Sequence, residues 1–134
     1  MIDFRPLQRI AEDEYADIVQ STTVIRSKLR VLLRDGSYID FWWSLTISGR
    51  YAYHWERTHV DGTVYRHDNM PDPDASKVKT FPQHFHDGIS GTVTESYISS
   101  QPQEGLRQFL QFAREHLSSE EGFEGAKCPL CPLA

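Results

Sequence analysis

Three short turn sequences divide the middle of this chain into segments that read as strands. Asp35-Gly36, Ser48-Gly49 and Asp61-Gly62 are glycine turns, and Asp-Gly is the dipeptide that a tight hairpin favours. Between the turns apolar side chains recur at every second position, the period of a strand with one buried face. The sequence therefore predicts an antiparallel meander, with strands at residues 25–34, 38–47, 50–58 and 64–68.

Two helices are predicted outside these strands. From Pro6 to Val19 apolar residues recur at steps of three to four, and a second stripe of this kind follows Ser100, which forms a capping-box signal with Gln103 and should end before Gly122. A short edge strand is expected within residues 92–99. The expected fold class is α+β, an antiparallel sheet of four to five strands in meander order, covered on one face by an N-terminal and a C-terminal helix.

Composition and charge set the class of protein. The chain has 134 residues, of which 39% are hydrophobic and 25% charged, so we expect one globular domain over residues 1–120 rather than a fibrous repeat. A net charge of −5 argues against indiscriminate adhesion to nucleic acid or anionic membranes. Neither a membrane helix nor a signal peptide is recognisable, which predicts a cytoplasmic protein.

The last residues, 121–134, are expected to form a flexible extension. They contain Cys128 and Cys131, a single Cys-x-x-Cys that supplies half of a tetrahedral zinc site and has no second half in the chain.

The first predicted strand has one basic face. Lys28 and Arg30 alternate with the apolar Leu29 and Val31, so the cations would lie on the sheet face that the helices leave uncovered. Cations beside aromatic rings suit an RNA-binding surface, because the cations contact phosphates and the rings stack on bases. A solvated face on which Lys and Arg stems cover apolar area is the alternative.

Histidine is concentrated in one part of the chain, with five of the six histidines between His54 and His86. Arg66 and Asp68 share a parity on the strand after the one that holds His54, so these side chains could face each other. His84 would point the same way as His86 in extended backbone, although both fall in a segment, residues 69–88, that its prolines predict to be a loop.

This pair of histidines admits three interpretations. Two imidazoles can serve as general acid and base for RNA cleavage, with Arg66 as the cation that stabilises the phosphorane. With Asp68 or Asp87 they could instead hold a divalent metal. They could also only pin the loop to the sheet through hydrogen bonds to backbone carbonyls.

Four segments together resemble the TumE family of toxins, at residues 29–37, 50–55, 65–69 and 81–88. The resemblance spans roughly residues 25–90. It implies the toxin of a type II toxin–antitoxin pair, with a ribonuclease-like activity and a partner that carries a DNA-binding domain. Gln83 stands where the family has a histidine. The family's polar positions are occupied here by Tyr53, His54, Arg66, Asp68, Asn69, His84 and His86.

The leading hypothesis is a prokaryotic toxin that acts on RNA as an endoribonuclease, without a cofactor or a metal. Its expected partners are a cognate antitoxin and RNA, with no membrane, and a homodimer is left open. One alternative is a non-catalytic module that binds protein or nucleic acid with the basic, aromatic sheet face, and another is a metal-dependent hydrolase. The candidate catalytic residues are His84, His86, His54, Arg66 and Asp68, and the candidate substrate-binding residues are Arg50, Tyr53, Asn69, Arg30 and Lys28.

Overall fold

The computed structural model describes the backbone of residues 2–125 and the side chains of residues 2–119. Within these residues one antiparallel sheet has its strands in sequence order. The strands are β1 (Val19–Ile25), β2 (Lys28–Leu33), β3 (Tyr38–Trp43), β4 (Tyr51–Arg57), β5 (Thr63–Asp68), β6 (His84–His86) and β7 (Val93–Glu95). The helices are α1 (Arg5–Arg9), α2 (Thr58–Asp61) and α3 (Pro102–Gly125).

The core lies between one face of the sheet and helices α1 and α3. Leu29 and Val31 of β2 are fully buried, as are Phe41 of β3 and Trp55 of β4, because alternate residues of each strand face the same side. From the helical side Leu106, Phe109, Leu110 and Ala113 complete this layer. The predicted α+β class and the meander order are confirmed.

The number of strands is larger than predicted, and β1 is the first of the missed ones. The N-terminal helix ends at Arg9, continues as a π-helical turn over Ile10–Glu14, and gives way to β1 at Val19. β1 is an edge strand that is rich in Ser and Thr and mostly exposed, so it lacks the alternation of apolar residues from which strands were predicted. Arg26, at a φ of 56°, turns the chain into β2.

The segment predicted to be a loop contains β6. After a 3₁₀ turn at Pro73–Ala75, the chain returns to the sheet at His84, where Asp68 is its partner in β5. Three residues are too few to produce a recognisable period, and the neighbouring prolines outweighed them in the prediction.

Other boundaries differ by a few residues. β3 ends at Trp43, before the predicted limit, while α3 continues past Gly122 to Gly125. The helix is capped by the Gln101 side chain, whose Oε1 accepts a hydrogen bond from Glu104 N at 2.7 Å, rather than by the predicted capping box. Each of the three predicted turns is present with its glycine at positive φ.

Two further predictions concern the C-terminal extension and membrane-spanning helices. Cys128, Cys131 and most of the predicted extension lie outside the described residues. No helix in the described part of the chain is long and apolar enough to cross a membrane.

Candidate functional site

The uncovered face of the sheet carries a row of polar side chains from adjacent strands. The register pairs Arg30 with Asp40, Asp40 with His54, His54 with Arg66, and Arg66 with His86. Paired residues of neighbouring strands project from the same face, so these side chains lie side by side across β2 to β6. Arg66 therefore lies between two histidines.

Hydrogen bonds hold Arg66 and fix the tautomer of His54. Arg66 Nε donates to Asp68 Oδ2 at 2.9 Å, and Arg66 Nη1 lies 3.2 Å from His54 Nδ1. A guanidinium only donates, so His54 Nδ1 is the acceptor and the ring carries its proton on Nε2, which lies 2.9 Å from Glu56 Oε1. Hydrogen bonds from Thr58 and then from His54 lower the pKa of Glu56 to about 2.

A second cluster joins Asp68 to the two histidines of β6. His84 is buried, with 1% of its side chain exposed, and its Nε2 lies 3.3 Å from Asp68 Oδ1. His86 is 36% exposed, and its Nε2 lies 3.9 Å from Asp68 Oδ2. Burial and then the proximity of His84 lower the pKa of His86, which favours a neutral ring. One ligand atom from each residue lies within 4.8 Å of the other two, so these residues could hold a metal ion.

The other end of the row is a charge cluster around Asp40. Its carboxylate accepts two hydrogen bonds from Arg30, at 2.8 and 2.9 Å, and pairs with Lys28 Nζ at 3.0 Å. Burial alone would raise the pKa of Asp40, but the hydrogen bonds from Arg30 and Lys28 outweigh it and hold the pKa below its usual value. The Arg30 guanidinium also lies 3.9 Å from the centre of the Tyr38 ring.

An open groove of about 470 Å³ runs over this face. Ala52 is paired with Trp42 on one side and Asp68 on the other, so a small side chain separates two larger ones. The groove is lined by Lys28, Arg30, Tyr38, Asp40, Trp42, Ala52, His54, Arg66 and Met70.

Two predicted substrate-binding residues have structural roles instead. Tyr53 projects from the opposite face into the core and is fully buried, and its hydroxyl donates to Ser99 O at 2.9 Å. Tyr53 therefore lies in the core, away from the uncovered face on which substrate was predicted to bind. Asn69 connects two strand ends, because its Oδ1 accepts from Tyr51 N at 2.9 Å and its Nδ2 donates to Gly49 O at 2.8 Å. Arg50 is half-buried and directly precedes β4.

Two histidines of the histidine-rich region do not join the site. His67 faces the core, where its Nδ1 lies 2.7 Å from Ser96 Oγ, and burial lowers its pKa to about 4. His59 lies in α2 with its Nε2 2.7 Å from Gly36 O. Gln83, which replaces the family's histidine, donates to Ile98 O at 2.7 Å and so anchors the chain before β6.

Several residues of the site were missed by the sequence analysis. The sequence does indicate Asp40. It interrupts the apolar β3 at the parity opposite to Ile39 and Phe41 and therefore faces the uncovered side. The Asp35-Gly36 hairpin then brings it opposite Arg30. Met70 has no such signal, since its place in the groove depends on how the segment after β5 folds back. Tyr38, Trp42 and Glu56 were missed as well.

Comparison with known protein families shows which family the chain matches. The family model described as "Toxin TumE" matches residues 3–117, and so covers everything from α1 to most of α3. No curated protein and no solved structure matches the chain at a significant level.

Proposed function

The chain belongs to the TumE family of toxins, and from this premise we propose that it acts as a ribonuclease on the uncovered face of its sheet. The observation that carries the proposal is the row in which Arg66 lies between His54 and His86. A toxin implies a partner that silences it. We expect that partner to be a cognate antitoxin with a DNA-binding domain.

The row offers the groups that RNA cleavage needs. Transfer of the phosphate to the neighbouring 2′-oxygen requires a proton acceptor for the 2′-hydroxyl, a proton donor for the departing 5′-oxygen, and a cation for the charge on the phosphorane. Neighbouring strands are about 4.8 Å apart, so His54 and His86 lie on strands about 10 Å apart, with the guanidinium between them. This leaves room for a phosphate on Arg66 with one imidazole on either side.

Each group has a role in this scheme. A phosphate bound to Arg66 competes with His54 Nδ1 for the guanidinium, which frees Nδ1 to accept the 2′-hydroxyl proton. His86, which is partly exposed, donates a proton to the departing 5′-oxygen, since the negative charge of a bound phosphate favours the protonated ring. Asp68 holds Arg66 through its Oδ2 at 2.9 Å and is a positioning residue.

His84 has a different role from the one that the leading hypothesis gave it. With only 1% of its side chain exposed, its ring does not reach a nucleotide on the sheet face. We therefore place His84 behind His86 as a positioning residue, and assign proton transfer to His54 and His86.

The test is cleavage of total RNA by the purified full chain, with Arg66→Lys as the variant. Lysine keeps the charge but loses the planar fork that reaches Asp68 and a phosphate together, so we expect cleavage to slow by about 100-fold. The matched control is Arg9→Lys, an exposed arginine of α1 on the covered side of the sheet. Thermal unfolding of all three proteins establishes that the variants are folded.

Equal cleavage rates for wild type and Arg66→Lys would contradict the assignment. RNA that is bound by the wild type but left intact would favour the non-catalytic binding module, for which Lys28, Arg30 and the groove residues Tyr38 and Trp42 supply cations and rings.

A further inference from the structure

His84 has a buried nitrogen that no described residue satisfies. Its Nδ1 lies 2.7 Å from the carbonyl oxygen of Pro82, and because a carbonyl only accepts, Nδ1 carries the proton of the bond. In a neutral ring the other nitrogen, Nε2, then bears a lone pair. Nε2 is buried, makes no hydrogen bond to the described residues, and lies 3.3 Å from Asp68 Oδ1. Two electron-rich atoms thus face each other inside the protein, an arrangement that needs either a metal ion or a further proton between them.

His86 directs a third ligand atom to the same place. Its Nε2 lies 3.9 Å from Asp68 Oδ2, and its ring centre lies 4.9 Å from that of His84. Ligands bound at about 2.1 Å to one ion are roughly 3.0 to 3.4 Å apart, so the three ligand atoms need shifts of about an ångström or less. The strands supply rigidity, because His84 and His86 come from β6 and Asp68 from its partner β5.

The surroundings resemble the outer shell of a metal site. A histidine that donates one ring N–H to a backbone carbonyl presents the other nitrogen to a metal, as His84 would. Asp68 is held as well, since Oδ2 accepts from Arg66 Nε at 2.9 Å and Oδ1 from Met70 N at 3.0 Å. The Arg66 charge repels a second cation, so the ion would bind Asp68 through Oδ1, the oxygen that faces His84 rather than Arg66.

We propose that Asp68, His84 and His86 bind one divalent transition-metal ion. Two imidazoles and one carboxylate suit ions such as Zn²⁺ or Co²⁺, and three protein ligands leave a position open for water or a phosphate oxygen. The site goes beyond the proposed function and does not depend on it. The ion would lie beside Arg66, and while it is bound the lone pair of His86 Nε2 is occupied, so His86 would not act as the proton donor.

A second proton on His84 is the competing way to satisfy Nε2. The ring would then be an imidazolium ion that donates to Asp68, and no metal would be needed. The two states differ in nitrogen chemical shifts, so ¹⁵N NMR of the histidine side chains in metal-free protein and during metal addition separates them.

The experiment is titration of the metal-free full chain with Co²⁺ and Zn²⁺ in the absence of RNA. Calorimetry gives the stoichiometry, and the visible absorption of bound Co²⁺ gives the coordination. Because Cys128 and Cys131 can bind the same ions, all proteins carry Cys128→Ser and Cys131→Ser. We expect one ion per chain, and binding weakened at least about 10-fold by His86→Asn and by Asp68→Asn.

His59 lies in α2, and its ring is hydrogen-bonded to the backbone carbonyl of Gly36. His59→Asn is the matched control and should bind like the parent. Circular dichroism confirms that each variant is folded, and His86→Asn is the decisive one because His86 is partly exposed. The proposal is overturned if the folded parent takes up neither ion, or if His86→Asn and Asp68→Asn bind as the parent does. RNA cleavage is assayed separately, so loss of one property leaves the other interpretable.

Discussion

At the scale of single residues, the carboxylate of Glu56 helps to fix which nitrogen of His54 carries the proton. Glu56 Oε1 accepts the Nε2 proton of His54 at 2.9 Å, which leaves Nδ1 facing Arg66. A glutamine at this position could still accept through its oxygen but would carry no charge. Glu56 Oε2 also accepts from Thr58 N at 3.1 Å, so glutamine removes the ionisation and keeps one of the two contacts.

The prediction is a change in the pH dependence of stability for Glu56→Gln. Hydrogen bonds from Thr58 and His54 lower the pKa of Glu56 from 4.5 to about 2 in the folded chain. The stability that its charge contributes is fully present above the unfolded pKa and is lost as the pH falls through the folded pKa. Because the side chain is partly exposed, we expect Glu56→Gln to lower the Tm by only about 3 °C near pH 6.

The part of that difference that comes from the charge should disappear as the pH falls from about 4.5 to about 2. Thermal unfolding of the wild type and of Glu56→Gln, from pH 6 down to the folded pKa of Glu56, measures the difference in Tm. Glu115→Gln, at an exposed position of α3, is the control for loss of one negative charge. A constant difference in Tm across the whole range would show that the carboxylate of Glu56 is not the source.

Single residues also show where reading the sequence succeeds. Parity alone placed Lys28 and Arg30 on the uncovered face and brought His54, Arg66 and Asp68 to a common face, because strand geometry leaves only two directions for a side chain. Parity also places Tyr53 on the buried side, but the resemblance to the family made it a substrate-binding candidate. The burial of His84 had no local signal, since it depends on how the chain between β5 and β6 packs.

At the scale of elements, α3 is fitted to the sheet at Gly105. A Cβ added to Gly105 would lie 2.5 Å from Ser99 O and 2.6 Å from the Tyr53 hydroxyl. Both are far too close for a carbon atom, and Tyr53 is held by its bond to Ser99 O. The absence of a side chain at Gly105 thus lets α3 lie directly on the Tyr53 ring.

Gly105→Ala should therefore destabilise the protein, although alanine is the better helix former by about 1 kcal/mol. The clash forces α3 away from the sheet, and we expect a net loss of about 1–3 kcal/mol. Urea unfolding measures the free energy. The control is Gln108→Ala, also in α3 and exposed, whose side chain accepts from Ser99 N at 2.8 Å and so reports loss of that contact without a clash. A more stable Gly105→Ala would mean that helix and sheet are less tightly packed than described.

Elements differ in how far the sequence predicts them. The hairpins of β2 to β5 were predicted because the strands alternate and a glycine turn joins each strand to the next. β1 and β6 were missed for physical reasons. β1 is an exposed edge with polar residues on both faces, and β6 has only three residues, whose place in the sheet is fixed by pairing with β5.

At the scale of the whole molecule, an acidic chain must bind a polyanion through few cations. The net charge is −5, and on the uncovered face Arg30 and Lys28 share Asp40 while Arg66 is paired with Asp68. Most of the molecule repels RNA, so binding must depend on local contacts along the row. Affinity should accordingly be modest and should fall only gently as salt is added.

Each phosphate contacted by the protein contributes about −0.7 to the slope of log K against log salt for single-stranded nucleic acid. With Lys28, Arg30 and Arg66 as the contacts, we expect a slope of about −2. Arg30→Gln should make it shallower by about 0.7, because it removes one phosphate contact at a position outside the proposed proton-transfer groups. Fluorescence anisotropy with a labelled single-stranded RNA, at several salt concentrations, measures both slopes. Arg9→Gln loses the same charge from the helical side of the molecule and should leave the slope unchanged, whereas an equal change in both variants would mean that RNA senses only the net charge and does not lie along the row.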